Sequence, residues 1–369
     1  MIPLAWREAW LHRRNRLFSD PRFQRWAADF PLTRPVARSR TRGLFDLVAG
    51  FVYSQTLSAC VELGVLERLR GGPASPEALA AACGLEPAAA SRLLGAAEAL
   101  GLVERVGGRW ALGQQGAALL GSAGLVEMIS HHARLYADLG DSVGLLRRGA
   151  GGLADYWPYA TADAPGGASA DEVAGYSALM AATQPAVAAD LLDAYPVARH
   201  RRLLDVGGGE GAFLEAAAAR APHLELALFD LPAVAARASE RLGVAGLLPR
   251  TTIRAGDFLC EPPPPGADLV TLVRILHDHD DAGVARLLRS IRAALPPDGT
   301  LLIGEPMAGD RRAERVGDAY FAFYLLAMGR GRARSPGELT RMLRDAGFGR
   351  VRRLRTRTPF LLRALVARP

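Results

Sequence analysis

The sequence predicts an α/β protein: a doubly wound, Rossmann-like domain in the C-terminal half, preceded by a helical winged-helix region. Two observations support this. Short apolar strands in the C-terminal half end in glycine, acidic or histidine turns and alternate with helical segments, as in βαβ units of a parallel sheet. Nearer the N-terminus, two short helices precede a hairpin pattern. We place an arm at residues 1–44, a helical domain at 45–195 and the sheet domain at 196–369.

Length and composition are those of a folded protein with more than one domain. The 369 residues exceed what one core usually holds, and 50% hydrophobic with 22% charged residues excludes wholesale disorder. A net charge of +7 would suit an anionic partner, but the chain contains no lysine, so drift toward arginine across the whole chain is the preferred explanation. Cys60, Cys83 and Cys260 lie far apart, which argues against a disulfide framework and fits a reducing cytoplasm.

The arm at residues 1–44 carries ten arginines against three acids, together with Trp6, Trp10 and Trp26. Such residues suit peripheral contact with an inner membrane, and they equally suit anchors of a dimer arm. We recognise no signal peptide. The apolar segment from Val48 to Leu66 is interrupted by polar residues, so we expect no membrane-spanning segment.

The winged helix is predicted from residue 43 to residue 112. Apolar positions from Gly43 to Leu69 recur at helical spacing. Ser75 to Gly84 reads as a capped helix with proline at its first position, and Glu86 to Leu100 reads as the next helix. Two short strands then flank a glycine pair within Val103–Leu112.

A winged helix raises the alternative of a DNA-binding regulator. The helix that would enter the major groove offers only Ser91 and Arg92 as base readers, where recognition needs several such side chains. We therefore expect no nucleic-acid partner; salt-dependent, sequence-selective duplex binding would mark the alternative.

Further helices are predicted at Leu125–Leu146 and Val173–Tyr195. Between them the glycine-rich, aromatic stretch from Gly149 to Gly167 predicts a lid or a surface loop.

A glycine turn between a strand and a helix predicts a nucleoside-binding site. Leu203 to Gly211 reads Leu-Leu-Asp-Val-Gly-Gly-Gly-Glu-Gly, and a second strand ends in Asp230, where a carboxylate binds ribose hydroxyls. The spacing also satisfies a relaxed dinucleotide fingerprint. Asp205 and Glu210 would repel a pyrophosphate and attract a sulfonium or an ammonium, which favours S-adenosylmethionine over NAD.

Chemistry-bearing residues follow the next strands. Asp257 is placed to accept a hydrogen bond from an adenine amino group, and Phe258 is placed to stack on the adenine ring. The alternative is that Asp257 is a solvated turn acid and Phe258 an ordinary core aromatic. His277 ends a buried strand at the same sheet edge as the glycine turn, and Glu305, ending the following strand, is placed to orient it. His277 and His279 lack a third ligand of clear spacing, so we expect no metal.

At these residues the chain resembles the O-methyltransferases related to plant caffeate and acetylserotonin enzymes, from about residue 45 to the end. The matching motifs are the winged-helix region, the glycine turn, Phe229–Pro232, Gly256–Phe258, Leu276–Asp278 and Leu343–Phe348. The resemblance implies a homodimer and makes His277 the general base. It also implies S-adenosylmethionine binding by Asp205, Gly207, Gly209, Asp230, Leu231, Asp257, Phe258 and Arg274.

Within that family, Phe23–Trp26, Phe45–Gln55, Arg274–Asp281 and Ala327–Pro336 look most like bacterial carotenoid O-methyltransferases of the demethylspheroidene and hydroxyneurosporene type. This implies methylation of a tertiary 1-hydroxyl; a bacteriochlorophyll-type tetrapyrrole or a phenol is the alternative substrate. A polyene needs an apolar channel, for which candidate residues on the covering helices are Met128, Tyr136, Tyr176, Met180, Tyr320, Phe323, Tyr324 and Met328, unless they are ordinary core.

The chain also departs from the plant pattern. Where plant members carry a second glutamate before an Arg-Thr pair, this chain reads Ala333-Arg334-Ser335. Plant members usually have lysine where Val273 stands and tryptophan where His279 stands. A strict triad around the base is therefore in doubt, and the cofactor contacts there must differ.

Overall fold

A computed structural model describes residues 3–122, 124–156, 170–310 and 315–369. The chain divides into two compact units, Met1–Ala117 and Ala118–Pro369. The division falls after Ala117, whereas we placed a domain boundary at residue 195, and the helix Ala170–Ala194 packs with the sheet. Leu191 and Tyr195, for example, are buried in the same core cluster as Leu203 of the first sheet strand.

In its described residues the N-terminal arm is largely helical, and two of its prolines stand in the first turns of helices. Pro21 opens the second helix, and the Asp20 side chain accepts from the backbone N–H of Arg22 at 2.7 Å. Pro35 stands in the first turn of the third helix. The first unit comprises α1 (Leu4–Ser19), α2 (Pro21–Asp29), α3 (Arg34–Glu62), α4 (Val65–Leu69), α5 (Pro76–Ala82), α6 (Pro87–Ala99), β1 (Val103–Val106) and β2 (Arg109–Leu112), and α7 (Gln114–Leu120) crosses the division.

The winged helix is confirmed. The Ser75 side chain caps α5 by accepting from the backbone N–H of Ala78 at 3.1 Å, and the helix is followed by Gly84 in the left-handed region. Strands β1 and β2 pair antiparallel around Gly107 and Gly108, whose φ values of 54° and 76° suit a tight hairpin turn.

Most side chains of helix α3 are exposed to solvent or only partly buried. Of its 29 residues only Thr56 and Cys60 are buried, and its exposed side chains include Leu44, Phe45, Leu47, Val48, Phe51 and Val52. By length and composition alone α3 could cross a membrane, with a mean hydropathy of 1.4 over its most apolar window. We expected no membrane-spanning segment, and length and composition alone do not test that expectation, so it stays a prediction. A core helix of a soluble protein can have the same composition.

The second unit opens with helices that precede the sheet. These are α8 (Leu125–Leu139), α9 (Ser142–Arg148), a 3-10 turn (Gly152–Tyr156) and α10 (Ala170–Ala194). The sequence predicted one helix from Leu125 to Leu146. The chain instead restarts at Asp141, whose side chain accepts from the backbone N–H of Gly144 at 2.9 Å. Residues 157–167 of the predicted lid lie outside the described residues.

Seven strands form the sheet, in the order β5-β4-β3-β6-β7-β9-β8, and only β9 runs antiparallel to its two neighbours. This confirms the doubly wound prediction. The strands are β3 (Arg202–Val206), β4 (Glu225–Asp230), β5 (Thr251–Ala255), β6 (Leu269–Val273), β7 (Thr300–Glu305), β8 (Arg350–Leu354) and β9 (Arg363–Arg368). The intervening helices are α11 (Ala212–Arg220), α12 (Pro232–Val244), α13 (Asp281–Ala294), α14 (Phe321–Ala327) and α15 (Pro336–Asp345), with single turns at Val197–Arg199, Leu248–Arg250 and Leu276–Asp278 and a π-helix at Arg315–Tyr320.

Two apolar cores cover the faces of the sheet. Leu203 and its face pack against α10, α11 and α12, while Leu204 and the opposite face pack against α13 and α15. Because consecutive strand residues point to opposite faces, the continuous apolar runs of β3 and β6 are buried on both sides. The carboxyl ends of β3, β4, β6 and β7 therefore meet at one edge of the sheet.

Candidate active site

The glycine turn after β3 leaves room for a ligand beside the backbone. Gly207 and Gly209 have φ values of 69° and 58°, which other residues rarely adopt. A Cβ on Gly207 would lie 2.5 Å from Ile275, whereas one on Gly209 would meet nothing within 4 Å. The turn is therefore tight on the protein side and open on the side of the cleft.

Two buried carboxylates stand behind this turn. Asp205 accepts from the Thr271 hydroxyl at 2.6 Å, and Asp230 accepts from the backbone N–H groups of Gly209 and Leu231 at 2.8 and 2.7 Å. Burial raises the pKa of Asp205 to about 7 and that of Asp230 to about 6. A cation bound beside them would restore their ionised forms, so this end of the cleft favours a positively charged ligand.

Glu210 has a different role from the one we expected. Its carboxylate pairs with the Arg237 guanidinium at 2.6 Å, so its charge is neutralised within the protein. Asp257 and Phe258 line the same cleft, and the Asp257 side chain accepts from the backbone N–H of Leu259 at 2.8 Å. The attraction for a cation therefore falls to Asp205 and Asp230.

All eight residues predicted to bind the cofactor line one cleft of the second unit. They are Asp205, Gly207, Gly209, Asp230, Leu231, Asp257, Phe258 and Arg274. The open glycine turn, the buried acids and an aromatic wall fit a ligand that joins an adenosine to a cationic tail. The residues fit S-adenosylmethionine on these grounds.

His277 lies on the 3-10 turn after β6 and is held by Glu305 at the end of β7. The imidazole Nδ1 lies 2.6 Å from Glu305 Oε2, and Glu305 Oε1 accepts from the backbone N–H groups of Ile275 and Leu276 at 2.8 and 2.7 Å. One carboxylate thus fixes both the turn and the ring. With Nδ1–H donating to Glu305, the lone pair of a neutral imidazole stands on Nε2.

Asp278 adds a second carboxylate on the other side of the ring, with Oδ1 3.1 Å from His277 Nε2. Burial lowers the pKa of His277, but the charges of Asp278 and Glu305 outweigh it, and the net shift is upward. Burial raises the pKa of Asp278 to about 6. Asp278 lines the cleft, so the Nε2 side of His277 is the side nearest the cofactor site.

Two arginines complete the surroundings of the turn. The Arg334 guanidinium is 2% exposed and donates to the backbone carbonyls of Leu276 and His279 at 2.6 and 2.8 Å. It stands beside Ala333, one of the predicted departures from the plant pattern, and it holds the turn through these two carbonyls. Arg274, with φ 62°, reaches across the cleft to the Thr183 hydroxyl at 2.7 Å and also contacts the Met180 sulfur.

An aromatic cluster lies on the far side of His277. The Phe321 ring meets the imidazole edge-on at 5.6 Å between centroids, and Tyr320 and Tyr324 stack at 5.7 Å. The Tyr320 hydroxyl lies 2.7 Å from His132 Nε2, and the Tyr324 hydroxyl lies 3.1 Å from His131 Nε2.

The eight predicted substrate residues do not form one site: some lie at the cleft or in the aromatic cluster, and others do not. Met180 lines the cleft, while Tyr320 and Tyr324 join the aromatic cluster, as does Tyr136 through its ring contact with His132 at 6.0 Å. Met328 is buried core, with Phe323 packed against it. Met128 is half-buried, and the Tyr176 side chain lies outside the described residues.

Sequence reasoning missed His131, His132, Phe321 and the holding role of Arg334. The histidine pair on α8 was the available signal, because it falls between Met128 and Tyr136 on a helix already thought to cover the site.

The chain matches two family models of O-methyltransferases. An O-methyltransferase domain model matches residues 154–349, and an O-methyltransferase dimerisation domain model matches residues 45–122. Demethylspheroidene O-methyltransferase of Cereibacter sphaeroides is 44% identical over 355 residues, covering 95% of this chain and 93% of the relative. Its namesake from Rhodobacter capsulatus is also 44% identical, covering 91% and 84%.

A more distant relative is acetylserotonin O-methyltransferase of Mus musculus, 33% identical and covering 86% of each chain. Among solved structures, human N-acetylserotonin methyltransferase in complex with SAM superimposes with a TM-score of 0.74 at 26% identity. That superposition covers 89% of this chain and 97% of the human one.

Proposed function

Because the chain belongs to the S-adenosylmethionine-dependent O-methyltransferase family, we propose that it methylates the tertiary 1-hydroxyl of an acyclic carotenoid, with His277 as general base. Two relatives at 44% identity named demethylspheroidene O-methyltransferase support the substrate class. The observation that carries the proposal is His277 itself, buried beside the cleft with Nδ1 2.6 Å from Glu305.

The proposed chemistry assigns one task to each group. S-adenosylmethionine, when bound, supplies the methyl group as an electrophile and leaves as a neutral thioether. His277 Nε2 accepts the proton of the substrate hydroxyl while Glu305 holds the imidazolium that forms. Asp278 moves aside from Nε2 to admit the hydroxyl, and its carboxylate stays close enough to stabilise the new positive charge.

A tertiary alcohol needs a stronger base than a phenol does, because its hydroxyl is far less acidic. The raised pKa of His277 makes the imidazole a stronger base. The same shift means that the neutral imidazole, which can accept a proton, is present only at higher pH. Holding the reacting groups in line contributes more, since effective molarities of aligned groups are worth roughly 7–11 kcal/mol.

The aromatic cluster supports a lipophilic substrate. Burial lowers the pKa of His131 to about 4 and also lowers that of His132, so both rings are neutral near pH 7. The hydroxyls of Tyr320 and Tyr324 are engaged with these rings, which leaves aromatic surface beside His277. We propose that this surface and Met180 contact the polyene.

The proposal extends to partners and location. The dimerisation-domain match supports a homodimer. We propose a cytoplasmic protein that contacts the inner membrane peripherally through the arm, in which Trp6, Trp10 and Trp26 are 75%, 61% and 52% exposed among arginines. Deleting residues 1–30 should weaken liposome binding; unchanged binding would remove this part of the proposal.

The test of function is methyl transfer from labelled S-adenosylmethionine into 1-hydroxy carotenoids extracted with organic solvent. We expect label in the carotenoid fraction with the native protein and a loss of about 10²–10⁴-fold with His277→Ala. His223→Ala is the matched control, because His223 precedes β4 at the opposite edge of the sheet. Label only in tetrapyrroles or phenols would overturn the carotenoid assignment, and equal rates for native protein and His277→Ala would overturn the base.

A further inference from the structure

The connection between β8 and β9, residues 355–362, presents apolar side chains to solvent. Phe360 is 49% exposed and Leu361 is 44% exposed, whereas the next residue, Leu362, is 1% exposed. Isolated exposed apolar residues are ordinary, but an adjacent pair at the tip of a loop forms a small apolar patch.

Hydrogen bonds fix this loop in place. The buried carboxylate of Asp190 on α10 accepts from the backbone N–H groups of Arg357 and Thr358 at 2.7 and 3.0 Å. The Thr356 hydroxyl donates to the carbonyl of Leu362 at 2.6 Å and closes the neck of the loop. The exposure of Phe360 and Leu361 is therefore a property of the folded loop and not of a fraying end.

The segment that carries the tip is rich in arginine. Residues 350–363 contain six arginines and no acid. Two of these, Arg353 and Arg357, pair with Asp310 and Asp193 outside the segment, yet their side chains remain 56% and 76% exposed. Arg355 is exposed and forms no ion pair within the described part of the chain. An apolar tip that shares its loop with the exposed side chains of Arg355 and Arg357 is complementary to anionic headgroups above an acyl layer.

The loop lies at the catalytic edge of the sheet. Strand β9 begins at Arg363, whose register partner on β7 is Glu305, the residue that holds His277. The chain thus leaves β8 and enters β9 at the same end of the sheet as the glycine turn and the 3-10 turn of His277.

We infer that residues 355–362 dock the catalytic unit on an anionic lipid surface, with Phe360 and Leu361 entering the interface and arginines contacting phosphates. This orientation turns the carboxyl edge of the sheet toward the lipid. The inference rests on the proposed lipophilic substrate for its purpose, because a substrate dissolved in a bilayer must enter from that side. It is separate from the arm, which belongs to the other compact unit.

The test is co-sedimentation of the full-length protein with vesicles of phosphatidylcholine alone or mixed with phosphatidylglycerol. Phe360→Ser with Leu361→Ser should lower partitioning into the mixed vesicles about tenfold, and Arg355→Gln should lower it about fivefold. Val244→Ser is the matched control: Val244 is 94% exposed at the end of α12, at the opposite edge of the sheet. It should bind as the native protein does.

A second measurement does not depend on loss of binding. Phe360→Trp should show tryptophan quenching by brominated lipids beyond that of the native protein, because the new indole enters the acyl layer. Native-like binding by the double-serine variant, absence of added quenching, or a changed oligomeric state of that variant would each overturn the inference.

Failure of the loop and failure of the proposed function are distinguishable. With substrate dispersed in detergent, the double-serine variant should keep the native rate, since no vesicle has to be engaged. If the native protein methylates no carotenoid in detergent while vesicle binding still depends on Phe360 and Leu361, the proposed substrate falls and the docking loop stands.

Discussion

The polar groups at the carboxyl edge of the sheet find their partners within one chain, whereas the apolar side chains on the exposed face of α3 do not. At the sheet edge, His277, Asp278 and Glu305 are buried, and each has a partner among the others. On α3, two of 29 residues are buried and a row of large apolar side chains faces solvent.

This difference separates two requirements of the protein. The cofactor cleft is built within the second unit, whereas α3 has apolar surface that a single chain leaves uncovered. The dimerisation-domain match begins at residue 45 and includes most of that surface, so a second copy of the chain is its expected cover. Chemistry and assembly can therefore be perturbed independently.

The largest expected effect is at Glu305. Glu305→Ala removes the acceptor of two backbone N–H groups and of His277 Nδ1, so kcat should fall by about 10²–10⁴-fold with the dimer intact. Steady-state kinetics and light scattering test this together. A fall in kcat accompanied by monomers would break the separation of the two regions.

The Glu305→Gln variant tests the contact between Glu305 and His277 through the pH dependence of activity. The negative charge of Glu305 helps to raise the pKa of His277, and only the neutral imidazole can accept a proton. Activity of the native enzyme should therefore rise with pH through a midpoint above 6.5, the ordinary value for histidine. The amide keeps an acceptor oxygen but loses the charge, so its midpoint should move to lower pH. An unmoved midpoint would contradict the assignment of the base.

The reciprocal experiment is on α3. Leu47→Asp with Phe51→Asp places two charges on side chains that are 73% and 71% exposed in the single chain. We expect dimer dissociation to increase at least about 100-fold, because each charge would be desolvated at an apolar interface. Analytical ultracentrifugation measures this. S-adenosylmethionine affinity should stay within about twofold, and its loss would show that the cleft needs the partner.

Much of this architecture was predictable from local sequence patterns. The glycine turn, Asp230 and the winged helix have fixed local spacings, and the meeting of His277 with Glu305 follows from parallel strands sharing an edge. The split of the predicted helix Leu125–Leu146 was not predictable from periodicity, because it depends on the cap formed by Asp141.

Contacts across long sequence separations were the least accessible. Arg334 reads as one arginine among many, and its burial against the carbonyls of Leu276 and His279 appears only in three dimensions. Glu210 was misjudged for the same reason, since its partner Arg237 lies on a separate helix. Charge alone did not distinguish a ligand-binding acid from a paired one.

A smaller effect, on the stability of the fold, is expected from substituting Arg334. Arg334→Leu leaves two carbonyls without their donor and should lower the free energy of unfolding by about 1–3 kcal/mol. Thermal unfolding measures the loss, and kcat should fall because the turn carrying His277 loosens. Arg344→Leu is the control, as Arg344 is exposed in the last turn of α15. Equal melting temperatures for the two variants would contradict the holding role.

The smallest effect concerns cofactor affinity. Because the pKa of Asp205 is raised to about 7, most of this carboxyl group is neutral at pH 6 and must ionise to attract a cation. S-adenosylmethionine affinity should therefore rise about tenfold between pH 6 and pH 8, measured by titration calorimetry. Thr271→Val removes a hydrogen bond that lowers this pKa, so the rise should shift to higher pH. A flat affinity profile would exclude Asp205 as the group that titrates.

The position of β9 has a consequence for how the sheet is assembled. This strand lies between β7 and β8, although it follows both of them in the sequence. Until β9 is in place, the edge of β7, with Glu305 at its end, stays unpaired. A folding intermediate that lacks β9 therefore exposes an open sheet edge, onto which a strand of another chain could pair. Insertion of this one strand closes that edge and completes the sheet beside the catalytic residues.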